Sequence, residues 1–257
     1  MIDLWLRSGT VGIILIPFVV LYAIAIGIVW LTHLSPARPF FASCVGIAGP
    51  FFASVAVLFG LFAAFLDNDV QHWRANLDAA VFREADGVRT ILRLAEAVGP
   101  AGDPIKMATV DYTQSVITSE WPAMWSRAGA PENLEPVRNL TLALLAPNFT
   151  SAVPATVHQA MLEGLVEVRQ ARLERLTLTA GVSDPKSWLA MLILGVLTQV
   201  AVAVVQLERL RPQALALFVF TTAFAATVVL IGLAKQPPSD AALDAAPLRA
   251  AMTTAMP

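Results

Sequence analysis

Apolar residues are gathered in four long runs without charge, and polar residues are gathered between the second and third runs. The four runs are residues 11–31, 40–66, 188–207 and 214–234. A helix needs about 20 apolar residues to cross the ~30 Å hydrocarbon layer of a membrane. The pattern therefore predicts four transmembrane helices. The first run is longer than the apolar core of about 7–15 residues in a secretory signal peptide, which favours a membrane span there.

The segment between the second and third runs, residues 67–187, has the periodicity of amphipathic helices. Its first part repeats apolar residues at spacings of three, four and seven, at Leu77, Val81, Val88, Leu92 and Ala95. Breaks at Gly and Pro residues divide the segment into predicted helices over 70–98, 105–121, 132–145 and 154–178. No helix breaker lies in 65–76, so the first of them is compatible with a continuation of the second span.

These patterns together predict an all-α integral membrane protein with four transmembrane helices and a helical domain between spans two and three. The predicted divisions are a first transmembrane pair (1–66), the helical domain (67–187), a second transmembrane pair (188–235) and a flexible tail rich in Ala and Pro (236–257). Four spans place both termini and the helical domain on one side. Basic residues near the span ends favour the cytoplasm for that side, in a bacterial inner membrane.

Composition and charge narrow the possible functions. The 257 residues are 57% hydrophobic and 14% charged, whereas soluble domains have about 25% charged residues. The formal net charge of −2 shows no basic excess, which argues against a nucleic-acid partner. One cysteine and three histidines exclude a disulfide framework and argue against a metal site. No nucleophile elbow, phosphate loop, zinc-protease motif or dinucleotide motif occurs, so we expect neither an enzyme nor a cofactor.

The second apolar run and the polar residues after it carry a family resemblance. The run over 49–70, GPFFASVAVLFGLFAAFLDNDV, resembles the second span of the bestrophin-like family of bacterial membrane proteins. Further matches follow in order at Glu84-Ala85, Tyr112, Glu120-Trp121-Pro122, Arg169, Arg172, Arg175 and Trp188. The resemblance covers roughly residues 10–235. It departs at 235–238, where Lys-Gln-Pro-Pro replaces an acidic-Pro-Phe-x-Gly stretch.

The resemblance implies a homo-oligomer, pentameric in bestrophins, that conducts inorganic ions passively through the bilayer along a pore lined by the second span. The alternative is a non-conducting membrane scaffold or sensor that acts through its cytoplasmic helices. A channel requires a closed ring of subunits, whereas a scaffold does not.

One face of the second span is the candidate pore lining. A ring of such apolar faces would form a hydrophobic constriction, and a proline within the helix would kink it. The alternative is that these side chains face lipid or pack against other helices of the same chain. The candidate residues are Pro50, Phe52, Val55, Phe59, Phe62 and Leu66.

Three polar residues, Asp67, Asn68 and Asp69, follow this face and mark the candidate pore mouth. Carboxylates there would concentrate cations. The alternative is a solvated helix exit without a role in conduction.

The arginines of the last cytoplasmic helix have no oppositely charged residue three or four positions away. Their partners are therefore expected on other helices, with Glu84 and Glu120 as candidates for bidentate pairs. The alternative is an anion-attracting vestibule. The arginines are Arg169, Arg172 and Arg175.

Overall fold

The computed structural model describes residues 5–6, 8–36, 39, 49–124, 134–180, 185–235 and 245–253, without the side chains of 49–52, 180 and 185. Within these residues all regular structure is helical, which confirms the predicted fold class. Four helices are long and apolar enough to cross a membrane, as predicted.

The chain divides into two compact units. The membrane unit comprises Met1–His72 and Val182–Gln236, and the second unit comprises Trp73–Gly181 and Pro237–Pro257. The helix that contains the second span contributes residues to both units and runs without a break, since no Gly-Pro breaker interrupts it after residue 50.

The membrane unit contains α1 (Gly9–His33), the first half of α2 (Gly49–Ala97), α8 (Pro185–Val205) and α9 (Leu210–Lys235). The bounds of α1 and α9 extend the predicted spans by a few residues, and α8 begins three residues earlier and ends two residues earlier than predicted. Residues 40–48 of the second run lie outside the described residues. The α1 and α9 helices pack along one another, and the hydroxyls of Tyr22 and Thr222 join them at 2.6 Å.

A glycine allows α8 and α9 to approach closely. A Cβ at Gly195 would overlap the ring of Phe224, which is fully buried. Small residues let helix backbones approach within lipid, where packing and not hydrophobic exclusion holds helices together.

The second unit contains the rest of α2, α3 (Asp103–Ser115), α4 (Trp121–Met124), α5 (Glu135–Leu144), α6 (Pro147–Thr150), α7 (Ala155–Ala180) and α10 (Ala246–Thr253). A π-helical segment, Val116–Glu120, joins α3 to α4. The core gathers buried side chains from most of these helices, including Val88, Ile91, Leu140 and Met161.

Two glycines set the crossing of α2 and α7. A Cβ at Gly87 would lie 2.7 Å from Cγ2 of Val168 and 3.0 Å from the carbonyl oxygen of Gly164. A Cβ at Gly164 would in turn lie 3.1 Å from Ile91. The two helices therefore approach so closely that neither position has space for a larger residue.

The end of the chain departs from the predicted flexible tail. Residues 246–253 form α10, and Leu248 and Ala251 are fully buried in the core of the second unit. The alanine-rich composition suggested loose order, yet alanine is also the best helix former. One leucine and one alanine at i and i+3 are sufficient to form an apolar stripe.

Candidate functional site

Four charged side chains lie buried together in the second unit. Glu84 comes from α2, Glu120 from the end of the π-helical segment, and Arg172 and Arg175 from α7. Their side chains are between 0% and 7% exposed. We call these four residues the buried charge cluster.

Both carboxylates of the cluster are held by guanidinium groups. Arg175 donates from Nε to Oε2 of Glu84 at 2.7 Å and from Nη2 to Oε1 of Glu84 at 3.1 Å. Its Nη2 also donates to Oε1 of Glu120 at 2.5 Å. Arg172 donates to the other oxygen of Glu120, from Nε at 2.9 Å and from Nη2 at 2.5 Å. Arg175 thus bridges the two carboxylates and ties α2 and the π-helical segment to α7.

Three uncharged side chains complete the surroundings of the cluster. The hydroxyl of Tyr112 donates to Oε1 of Glu84 at 2.5 Å. Nη1 of Arg175 donates to the sulfur of Met124 at 2.6 Å, and its guanidinium carbon lies 5.6 Å from the ring centroid of Trp121. The indole N–H of Trp121 is buried and has no partner among the described residues.

Two acids and two bases make the cluster formally neutral. Burial alone would lower the pKa of Arg175, but Glu84 and Glu120 outweigh it and raise that pKa. Burial and the charge of Glu84 raise the pKa of the Tyr112 hydroxyl well above its ordinary value. Arg175 therefore stays a cation and Tyr112 stays a hydrogen-bond donor across the physiological range.

The π-helical segment determines which side chains reach the cluster. A π-bulge adds one residue to a helix and rotates everything after it by about 100° relative to an α-helix. Tyr112, Val116 and Glu120 are all buried, whereas on a regular α-helix the first and last of them would lie about 80° apart. The segment thereby aligns Glu120 with Tyr112 and places Trp121 under Arg175.

The structure brings together Glu84, Glu120, Arg172 and Arg175, and it leaves out Arg169. The Arg169 side chain is exposed and forms no ion pair among the described residues. On an α-helix, Arg169 lies about 120° from Arg175, which turns it away from the cluster. The prediction that Arg169 joins the charge network with Glu84 and Glu120 is therefore wrong.

Sequence reasoning overlooked the contacts of Tyr112 and Met124. The sequence offers Tyr112 only through the family resemblance, and on a regular helix Tyr112 and Glu120 would lie about 80° apart. Tyr112 and Glu120 both reach the cluster because of the π-helical segment, and no residue pattern in Val116–Glu120 predicts that segment.

The candidate pore-lining residues do not share one environment. Phe59 lies 5.0 Å from Phe224 and 5.7 Å from Phe220, centroid to centroid, and Leu66 is 4% exposed. Both therefore pack within the protomer, which is the helix-packing alternative. Phe62 is 38% exposed and Val55 is half-buried. The side chains of Pro50 and Phe52 lie outside those described.

The candidate pore mouth is exposed. Asp67, Asn68 and Asp69 lie within α2, and all three side chains are accessible in the protomer. No group of metal-ligating side chains occurs in the described part of the chain.

Comparison with known proteins gives the family. The sequence model of the Bestrophin-like domain matches residues 19–240. The chain belongs to the Bestrophin-like family. The resemblance noted in the sequence is thereby confirmed, and this bestrophin-like chain is a multi-pass membrane protein. No curated protein matches it.

Solved structures share the fold of this bestrophin-like protein. One is a bacterial bestrophin homologue from Klebsiella pneumoniae with a tryptophan-to-alanine substitution (TM-score 0.69, 15% identity, covering 97% of this chain and 96% of that chain). Another is a leucine-to-threonine variant of a bestrophin homologue from the same organism (TM-score 0.66, 15% identity, 96% of each chain). A membrane protein with a proline-to-alanine substitution also matches (TM-score 0.64, 12% identity, 94% and 95%). At these identities the likeness is one of fold.

Proposed function

We propose that this protein is a homo-oligomeric ion channel in which the second span, the first half of α2, lines a passive pore. The bestrophin-like fold supports this proposal, as do the four helices that can span a membrane. An enzymatic role is not part of it. The proposal places the protein in the inner membrane, with the second unit in the cytoplasm.

The observation that carries the proposal is the sparse packing of the second span within its own protomer. From Ala53 to Val70, where the side chains are described, the buried residues form one narrow stripe at Ala63, Leu66 and Val70. Val57 is 69% exposed and Leu61 is 45% exposed. A span so little covered by its own chain has surface available both for neighbouring subunits and for a pore axis.

The packed stripe defines which face remains for a pore. Val57, Leu61 and Asn68 lie about 120–160° around the helix from Ala63, on the side opposite the packed stripe. We therefore move the proposed constriction from Phe59 and Leu66 to Val57 and Leu61. Apolar side chains in a ring would gate by excluding water.

The polar end of the same face would form the pore mouth. Asn68 continues the stripe of Val57 and Leu61, and Asp67 and Asp69 flank it. In a ring of subunits these carboxylates recur once per subunit, which favours cations near the mouth.

Cysteine accessibility tests the pore face. Val57→Cys and Leu61→Cys are made in a Cys44→Ser background, and a polar thiol reagent is applied to channels in planar bilayers. We expect current through both variants to fall after modification. The matched control is Val19→Cys on α1, which is 65% exposed in the protomer and is expected to face lipid.

Two results would contradict the proposal. The first is a stable monomer or dimer in native mass spectrometry, because no axial pore could then form and a scaffold role would be favoured. The second is a current that modification leaves unchanged at both Val57→Cys and Leu61→Cys, or that changes equally at Val19→Cys.

A further inference from the structure

A groove runs along the second unit between α5 and α7. Its volume is about 430 Å³. Val137 and Leu176 lie at its base, and Leu142 and Leu173 form its edges. Leu142 is 58% exposed and Leu173 is 64% exposed, so the protomer leaves these apolar edges accessible.

The charged residues in the described lining of the groove are all arginines: Arg138, Arg169 and Arg172. Arg172 is already neutralised by Glu120. Arg138 contacts Glu135 at 3.5 Å, with 65% and 75% of the two side chains exposed. Arg169 has no ion pair among the described residues. The groove therefore carries about one uncompensated positive charge, at the Arg169 end.

The lining resembles a small-molecule site in size and composition. Such sites have volumes of about 300–1,000 Å³, with mostly apolar walls and a few polar groups that fix orientation. A guanidinium group matches a carboxylate through two parallel hydrogen bonds. The exposed leucines match an alkyl chain, since covering them removes apolar surface from water.

We propose that this groove binds a monocarboxylate with a short alkyl chain, its carboxylate at Arg169 and its chain between Leu142 and Leu173. The single negative charge matches the single uncompensated arginine. A phosphate monoester would bring a charge of about −1.5 to −2 to the same place, and the described lining has no second cation without an acidic partner to meet it. This inference does not depend on ion conduction.

The test measures octanoate binding to the intact assembly in lipid nanodiscs, by saturation-transfer NMR over a concentration series. Octanol and octyl phosphate serve as comparison ligands. The variants are Arg169→Gln and Leu173→Gln, both at exposed positions, so neither is expected to disturb folding. Arg93→Gln, at an exposed arginine of α2 outside the groove, is the matched control.

We expect saturable binding of octanoate that Arg93→Gln leaves unchanged. Loss of one charged hydrogen-bond partner in Arg169→Gln should weaken the affinity about tenfold or more. Leu173→Gln should weaken it too, and octanol should bind less tightly than octanoate.

Four results would overturn the inference. The first is the absence of saturable octanoate binding, which is also the result expected if a second copy of the chain fills the groove. The second is a binding isotherm that Arg169→Gln and Leu173→Gln leave unchanged. The third and fourth are octanol binding as tight as that of octanoate, and octyl phosphate binding tighter than that of octanoate. A non-conducting protein that binds octanoate would leave this inference intact and refute only the channel.

Discussion

Arg175 connects more of the second unit than any other side chain of the buried charge cluster. Its guanidinium contacts both carboxylates and is fully buried. In Arg175→Met, Glu84 would keep its burial and lose its counter-charge. Removing one partner of a buried pair costs about 3–5 kcal/mol. We expect a loss of that size in the opening free energy of α7, measured by hydrogen exchange on the full chain in detergent.

Two further variants serve as controls for Arg175→Met. Arg83→Met removes an exposed ion pair with Glu174 and should cost at most about 1 kcal/mol. The double variant Glu84→Leu with Arg175→Met removes both charges and should cost less than Arg175→Met alone. Equal losses in Arg83→Met and Arg175→Met would show that burial of the pair does not matter.

Tyr112 gives a pH-dependent signal from the same cluster. Because its folded pKa is raised, its proton stabilises the fold fully below pH 10, the ordinary pKa. That contribution is lost as the pH rises through the raised value. The chain has two tyrosines, so Tyr22→Phe leaves Tyr112 alone. We expect the ultraviolet absorbance of tyrosinate to stay low at pH 10 in the folded Tyr22→Phe protein.

The unfolded protein serves as the reference for the Tyr112 titration. In denaturant the same variant should ionise with a midpoint near the ordinary pKa of 10. A midpoint near 10 in the folded protein as well would mean that Tyr112 is not buried against Glu84.

Close contacts between helices determine how the secondary-structure elements pack. At the crossing of α2 and α7, Gly87→Ala would place a methyl group 3.0 Å from the backbone oxygen of Gly164 and closer still to Val168. Overpacking of this kind costs about 1–3 kcal/mol. We expect a loss of thermal stability in Gly87→Ala. Gly27→Ala, where no atom lies within 4 Å, should be neutral or stabilising.

The Gly87 prediction rests on the rigidity of the crossing. An unchanged melting temperature in Gly87→Ala would show that α2 and α7 can separate at little cost. It would also weaken the geometry of the charge cluster, because Glu84 lies one turn before Gly87 on α2.

Long apolar runs, apolar spacing and helix breakers made most elements predictable from the sequence, and local irregularities were not. The four spans follow from run length, the second half of α2 from its apolar spacing, and α7 from the Pro and Gly residues that bound it. The partners of Arg172 and Arg175 followed from charge, since like charges on one helix need acids elsewhere. The π-helical segment did not, because the residues of Val116–Glu120 are compatible with an α-helix and only tertiary packing selects the wider turn.

At the scale of the whole molecule, tertiary packing determines which of several equally apolar residues are buried, and the sequence alone does not distinguish them. Phe59 and Val57 are both apolar residues of one span, and only the packing of Phe220 and Phe224 shows which of them the protomer covers. The tail that the sequence predicts to be flexible, 236–257, includes residues 246–253 because the whole stretch is rich in Ala and Pro. Their burial depends on a complementary surface in the second unit, which no local pattern encodes.

The neutrality of the buried charge cluster constrains how this chain can change over generations. A single substitution that neutralises Glu84 or Arg175 leaves the buried cluster with an unbalanced charge. Descendants can therefore lose these charges readily only by replacing an acid and a base together. The two residues should accordingly be inherited as a pair, although 90 other residues separate them along the chain.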